Sequence, residues 1–139
     1  MTALELMESW LKQFPLWDCS SLTMDYTDGR PGCAGLFPQG MTEISRKQDV
    51  TGRIRSVNRL VFTLLNVRPV GADNRENAQW LLALQEWIRQ ECARGNAPQF
   101  GDDAIFQRIW AEQGKLRKAT QTGTAHYGVT LTVEFLKYE

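Results

Sequence analysis

The chain has 139 residues, 42% of them hydrophobic and 23% charged, with 16 basic side chains balanced by 16 acidic ones. That length supports a single domain, residues 1–139, which buries roughly two-thirds of its unfolded surface without metal or disulfide support. Zero net charge gives no bulk attraction to nucleic acid or to an anionic membrane, and the single histidine excludes multi-histidine metal sites.

Leu4, Met7, Leu11 and Phe14 recur at helical spacing, with Trp10 beside them. Thr2 stands at the capping position, Glu5 follows three residues later and Pro15 ends the run, so a helix is expected over 3–14. The stretch from Leu22 to Tyr26 is a short strand candidate. Residues 27–40, TDGRPGCAGLFPQG, are rich in glycine and proline and read as a long loop. No Gly-Lys-Ser/Thr ending or following helix makes this loop a phosphate cradle. A strand is expected to begin within 41–51, anchored by Ile44 and Val50, with Gly52 at a bulge or turn. The stretch IRSVNRLVFTLLNVR, residues 54–68, is a strand that becomes buried on both faces toward its end.

The clearest helix is 77–94, capped by Asn74 or Asn77. Trp80, Leu81, Leu84, Trp87, Ile88 and Cys92 fall on one face, Gly95 sits at the stop and Pro98 lies beyond. AIFQRIWAEQ fits a short helix capped by Asp102 or Asp103, or a strand. The strand is favoured, because Gln113-Gly114 reads as a turn and a second glycine turn follows at 121–124. In the last segment Tyr127, Val129, Leu131, Val133 and Phe135 alternate with His126, Gly128, Thr130, Thr132 and Glu134, one face buried and one wet. The expected fold is therefore α+β: a small, mostly antiparallel sheet packed against one main helix, 77–94, and an N-terminal helix.

The candidate chemistry is thin. Cys19, Cys33 and Cys92 are widely spaced, form no CxxC pair and read as free thiols in a reducing cytoplasm. The N-terminal stretch carries Glu5 and Glu8 and lacks the basic head and unbroken apolar run of a signal peptide. No run approaches the roughly 18 apolar residues of a membrane span. His126 lies on a polar strand face with no GxSxG elbow in the chain, so it reads as a solvated residue rather than a catalytic base. The acidic pairs Asp102-Asp103 and Asp25/Asp28 read as cap and loop residues rather than metal ligands. Arg46, Lys47, Arg53, Arg55 and Arg59 against Asp49 make one basic strip, and Lys115, Arg117 and Lys118 a second. Neither is interleaved with aromatics, so both read as charged strand edges or as subunit contacts. Trp17, in a turn region after Pro15-Leu16, is a candidate contact residue.

Six stretches in order, WLKQFPLW, DYTDGRPGCAGLFPQG, RKQDVTG, NAQWLLALQEWI, GNAPQFGD and HYGVTLTVEFLKYE, resemble the tail-completion proteins of bacteriophages. These are often labelled minor capsid proteins, are encoded between the head-joining and tail-tube genes, and are similar to tail terminators. The resemblance runs from Trp10 to Glu139. Its most specific parts are the NAQWL…QEW helix and the ending Thr132, Glu134, Phe135, Lys137, Tyr138 and Glu139. It implies a tail-terminator-like fold of helices on a small antiparallel sheet. It further implies a homo-oligomeric ring, usually a hexamer, in the neck of the virion. That ring is assembled in the bacterial host cytoplasm, caps the tail tube and meets the head–tail connector. No catalysis, cofactor, metal, membrane or sequence-specific nucleic acid is implied. Within that picture Arg46, Asp49, Arg53 and Arg55 are expected in cross-subunit ion pairs, since a closed ring uses two different faces of each subunit. Leu36 and Phe37 are the expected apolar anchors of a docking loop. The competing reading is a non-enzymatic domain that binds nucleic acid or has a regulatory role, resting on the two basic strips.

Overall fold

The computed structural model describes residues 2–19, 21–24, 32–69, 75–103, 106–119 and 123–139. The first helix, α1, spans Ala3–Leu11, and the Glu5 N–H donates to Thr2 Oγ1 at 3.2 Å, the cap expected of this sequence. It stops three residues short of the expected end, and Phe14 reaches the core from the turn that follows. Five strands follow: β1 (Ser21–Met24), β2 (Cys33–Gln48), β3 (Ile54–Pro69), β4 (Gln107–Ala119) and β5 (Thr124–Tyr138). The main helix, α2 (Arg75–Ala93), lies between β3 and β4 in the chain.

The strands form one sheet in the order β1-β2-β3-β5-β4, antiparallel except for the short β1–β2 pair. The fold is thus α+β with a mostly antiparallel sheet, as expected. Both helices lie on the same face. Met7, Trp10, Leu11 and Phe14 join Trp80, Leu81, Leu84 and Ile88 in one cluster with Phe62, Leu64, Val129, Leu131 and Val133. Those strand residues occupy a single alternation set, since Phe62 pairs with Leu131 and Leu64 with Val129. Between the helices the contact is aromatic: Trp10–Trp87 centroids lie 5.3 Å apart, Phe14–Trp87 5.5 Å and Phe14–Trp80 5.7 Å. Arg68 joins three elements. Its guanidinium donates to Asn77 Oδ1 at 2.8 Å and to both carboxylate oxygens of Asp18, at 3.0 and 3.2 Å. The α2 C-terminus closes at Gly95 (φ +76°), with Gly95 N–H to Cys92 O and Asn96 N–H to Glu91 O. This is the double bond pattern that a left-handed glycine permits.

Four expectations are corrected. Residues 33–40 of the expected loop are strand, and β2 runs unbroken in the chain from Cys33 to Gln48. Beyond Leu36 the outer side of β2 has no partner strand among the described residues, so Pro38 forfeits no ladder bond there. Register shifts between Pro38 and Gly40 and between Glu43 and Ser45 absorb the irregular residues, and Gly40 takes φ +113°. Ile44 and Val50 anchor nothing: Ile44 is the bulged residue, Val50 sits in the turn, and both are exposed. Gln113-Gly114 is not a turn but a bulge within β4, with Gln113 at φ +58°. There α2 packs so closely that a Cβ on Gly114 would lie 2.4 Å from Gln85 Oε1. Asn77 is not a cap; it lies buried inside α2, its amide donating to Pro69 O at 3.0 Å. Asn74, Tyr26, Asp25, Asp28, residues 27–31, residues 104–105, residues 120–122 and the Lys118 side chain lie outside the described residues.

Candidate interaction surface

The register of β2, β3, β5 and β4 decides which side chains share the face that the helices leave uncovered. Its rows run Lys47–Arg55–Tyr138, then Ser45–Val57–Leu136, then Thr42–Arg59–Glu134–Arg108, then Gly40–Val61–Thr132–Trp110 and then Phe37–Thr63–Thr130–Glu112. Leu65, Gly128 and Lys115 continue it toward the far end. The expected wet face of β5 is therefore only half wet: Thr132 and Gly128 are buried, and His126, Thr130 and Glu134 are partly so.

This face is strongly basic. The Arg53 guanidinium lies 4.0 Å from the centroid of the Tyr138 ring, and that of Arg108 lies 5.1 Å from the Trp110 ring. Glu134 is shared between Arg59 at 3.6 Å and Arg108 at 4.0 Å. Arg117 lies flat across the sheet. A Cβ on Gly128 would stand 2.9 Å from Arg117 Cγ, so glycine there makes room for its stem. Lys47 and Arg55 are direct cross-strand partners, and their side chains make no ion pair or hydrogen bond among the described residues. With Ser45, Val57, Leu136 and the exposed Phe106 they line a surface cavity of about 240 Å³.

The other residues singled out in the sequence go elsewhere. Arg46 is engaged within the chain, bonded to Glu43 at 3.1 Å and to the Glu139 carboxylate. Asp49 builds the β2–β3 turn: its Oδ1 accepts from Thr51 N–H (2.9 Å), the Thr51 hydroxyl (2.6 Å) and Arg53 N–H (2.9 Å). The Thr51 hydroxyl leads in holding this carboxyl below its ordinary range, helped by the two backbone donors. Of the expected ion-pairing set, Arg55 alone has no partner of its own within the described chain. Leu36 is fully buried against Leu64 and belongs to the core rather than to a docking loop. Phe37, half-buried, faces the uncovered side of the sheet. Trp17 is half-buried, its ring 6.0 Å from that of Trp80, in a cleft it shares with Leu16 and Arg68.

Sequence reasoning missed Arg108, Trp110 and Tyr138 as neighbours of the first basic strip, and did not place Arg117 on the same face. Period two in β5 gave the outward set, but nothing local says that β5 lies between β3 and β4. Two edges without a partner strand among the described residues complete the surface. On one side β2 exposes Met41 and Ile44 beyond its pairing with β1. On the other, the outer rim of β4 borders a cleft of about 380 Å³ against α2, flanked by the exposed Leu82 and Leu116. Among the described residues no group of three or more His, Cys, Asp or Glu side chains is placed to hold a metal ion, and no helix is long and apolar enough to cross a membrane. No protein-family model matches the chain, and comparison with curated proteins finds no match.

Proposed function

We propose that the chain is a structural subunit of a phage or prophage virion. In this reading it is a tail-terminator or tail-completion protein that caps the tail tube, contacts the head connector and carries out no catalysis. The reading rests on the resemblance of its six ordered sequence stretches. The observation that supports it is a pair of unlike sheet edges, β2 from Phe37 to Gln48 and the outer rim of β4, that lie on opposite sides of one subunit and have no partner strand among the described residues. A closed ring needs two such non-equivalent surfaces, because each subunit offers one face forward and another back. Exposed apolar side chains at both, Met41 and Ile44 on one and Leu82 and Leu116 on the other, supply area to bury.

Light scattering across a concentration series tests this. The expected result is a discrete ring-sized species, a hexamer by the resemblance, formed alone or on addition of tail-tube protein. Met41→Asp or Leu116→Asp, each at an exposed site, is expected to abolish that species without lowering the unfolding midpoint. A chain that stays monomeric at every concentration and fails to bind tail-tube protein ends the reading.

A further inference from the structure

The two basic strips, which lie about sixty residues apart in the sequence, meet on one side of the molecule. Lys47, Arg53, Arg55, Arg59, Arg108, Lys115 and Arg117 all stand on the uncovered sheet face, against two carboxylates among the described residues, Glu112 and Glu134. A chain of zero net charge has thus placed a large positive excess on one flat surface. Part of that excess works against the fold. Lys47 and Arg55 are like charges directly opposite one another in an antiparallel ladder, an arrangement that destabilises a sheet. Neither is relieved by an acid among the described residues.

Aromatic rings are interleaved with these cations, as the linear sequence did not reveal. Tyr138 lies under Arg53, Trp110 beside Arg108, and Phe106 borders the cavity below Lys47 and Arg55. From the Arg55 row to the Gly128 row the face spans ten residues of β3, about 33 Å. The cations are spread along that length rather than gathered into one pocket. A single carboxylate or phosphate would use one or two of them; a chain of phosphates would use them all.

We propose that the uncovered sheet face binds single-stranded nucleic acid without sequence preference, the cations following the phosphates and the ring–guanidinium pairs offering platforms for bases. The cations and rings lie across a face four strands wide rather than on a helix or a two-stranded ribbon, the elements that enter a major groove, so single strands are preferred over duplex. This inference does not depend on the assembly reading: a ring-forming chain without it, or a monomer with it, is each a distinct outcome.

The test is fluorescence anisotropy of a labelled oligothymidylate longer than the roughly 4–16 nucleotides such a surface spans. Binding at about 0.1 M salt is expected, with log K falling against log salt with a slope of about −5 if all seven cations engage. Lys47→Ala with Arg55→Ala is expected to weaken binding at least tenfold and to flatten that slope by about 1.4, while circular dichroism and the unfolding midpoint stay unchanged or improve. Arg89→Ala, on the helical layer, is expected to leave binding unaltered. Three results overturn the proposal: no binding at that salt, equal loss in the Arg89 variant, or tighter binding of a duplex of the same length. Retention on phosphatidylserine vesicles without retention of the oligonucleotide would assign the face to a membrane surface and overturn it as well.

Discussion

Gly101→Ala isolates one close approach on which the open end of the sheet depends. Gly101 lies just before the segment that runs beside β5 where β4 has not yet begun. Here the Asp102 N–H donates to Leu136 O and the Tyr138 N–H donates to Asp102 Oδ2, both at 2.8 Å. A Cβ on Gly101 would fall 2.4 Å from that same Leu136 oxygen and 3.1 Å from Leu136 N. Both obstacles are backbone atoms of a residue paired with β3 near the end of β5, so the loop must retreat rather than the strand. Reaching an ordinary carbon–oxygen contact of about 3.3 Å takes a shift of about 0.9 Å, which breaks a hydrogen bond that starts at 2.8 Å. Loss of the backbone bond and of the solvent-exposed carboxylate bond costs about 1 kcal/mol each, and residual strain adds about 1. The expected destabilisation is about 2–4 kcal/mol, read as a lower urea midpoint with unchanged slope by tryptophan fluorescence. Asp102→Asn keeps the shape and weakens only the second bond, for a loss of about 1 kcal/mol. A Gly101→Ala midpoint within about 0.5 kcal/mol of the parent protein would show that the loop yields freely, and the reasoning would fail.

Other expectations follow from the same packing. Leu84, fully buried between α2 and the sheet, should cost about 2–5 kcal/mol on truncation to alanine, whereas Leu82→Ala, one turn-face away and 64% exposed, should stay within about 0.5 kcal/mol by urea unfolding. Arg68→Ala removes the donor to the buried Asn77 oxygen and the ion pair to Asp18, and should lower stability by about 2 kcal/mol; Arg68→Lys, which cannot reproduce the fork, should recover only part. Burial, with a smaller push from Asp18 and an opposing pull from Arg68, raises the Cys19 thiol from 9.0 to about 12. Its protonated form is favoured by folding, so this contribution is intact below pH 9 and is lost as pH rises toward 12. The midpoint difference between the parent chain and Cys19→Ala should therefore shrink from pH 8 to pH 11, and native Cys19 should alkylate far more slowly than the unfolded thiol at pH 8.5; equal alkylation rates would refute the burial argument.

What the sequence determined by itself was everything governed by neighbours along the chain. Thr2 caps α1 because its hydroxyl reaches an amide three residues on, and Gly95 ends α2 because a left-handed residue is needed there. The apolar stripe of α2 and the alternation of β5 follow from helix and strand periods, and they were enough for the α+β class. Turn chemistry was less reliable wherever a strand lay at an edge. The glycines and prolines of 33–40 read as loop, yet an edge strand tolerates a missing donor and a bulge accommodates Gly40. Gly114 read as a turn, yet it lies at a bulge within β4, where the Gln85 side chain of α2 fills the space a Cβ would take.

Tertiary structure alone decided which residues share a surface. Pairing β5 between β3 and β4 put Glu134 between Arg59 and Arg108 and brought Tyr138 under Arg53. It also spent Arg46 and Asp49 inside the chain and left Lys47 and Arg55 opposite one another with no acid among the described residues. Strand order is a matter of long-range register, set by the total burial of the sheet against both helices. A linear pattern of charges carries period and composition but not adjacency across strands, so the basic face became visible only once the sheet was assembled.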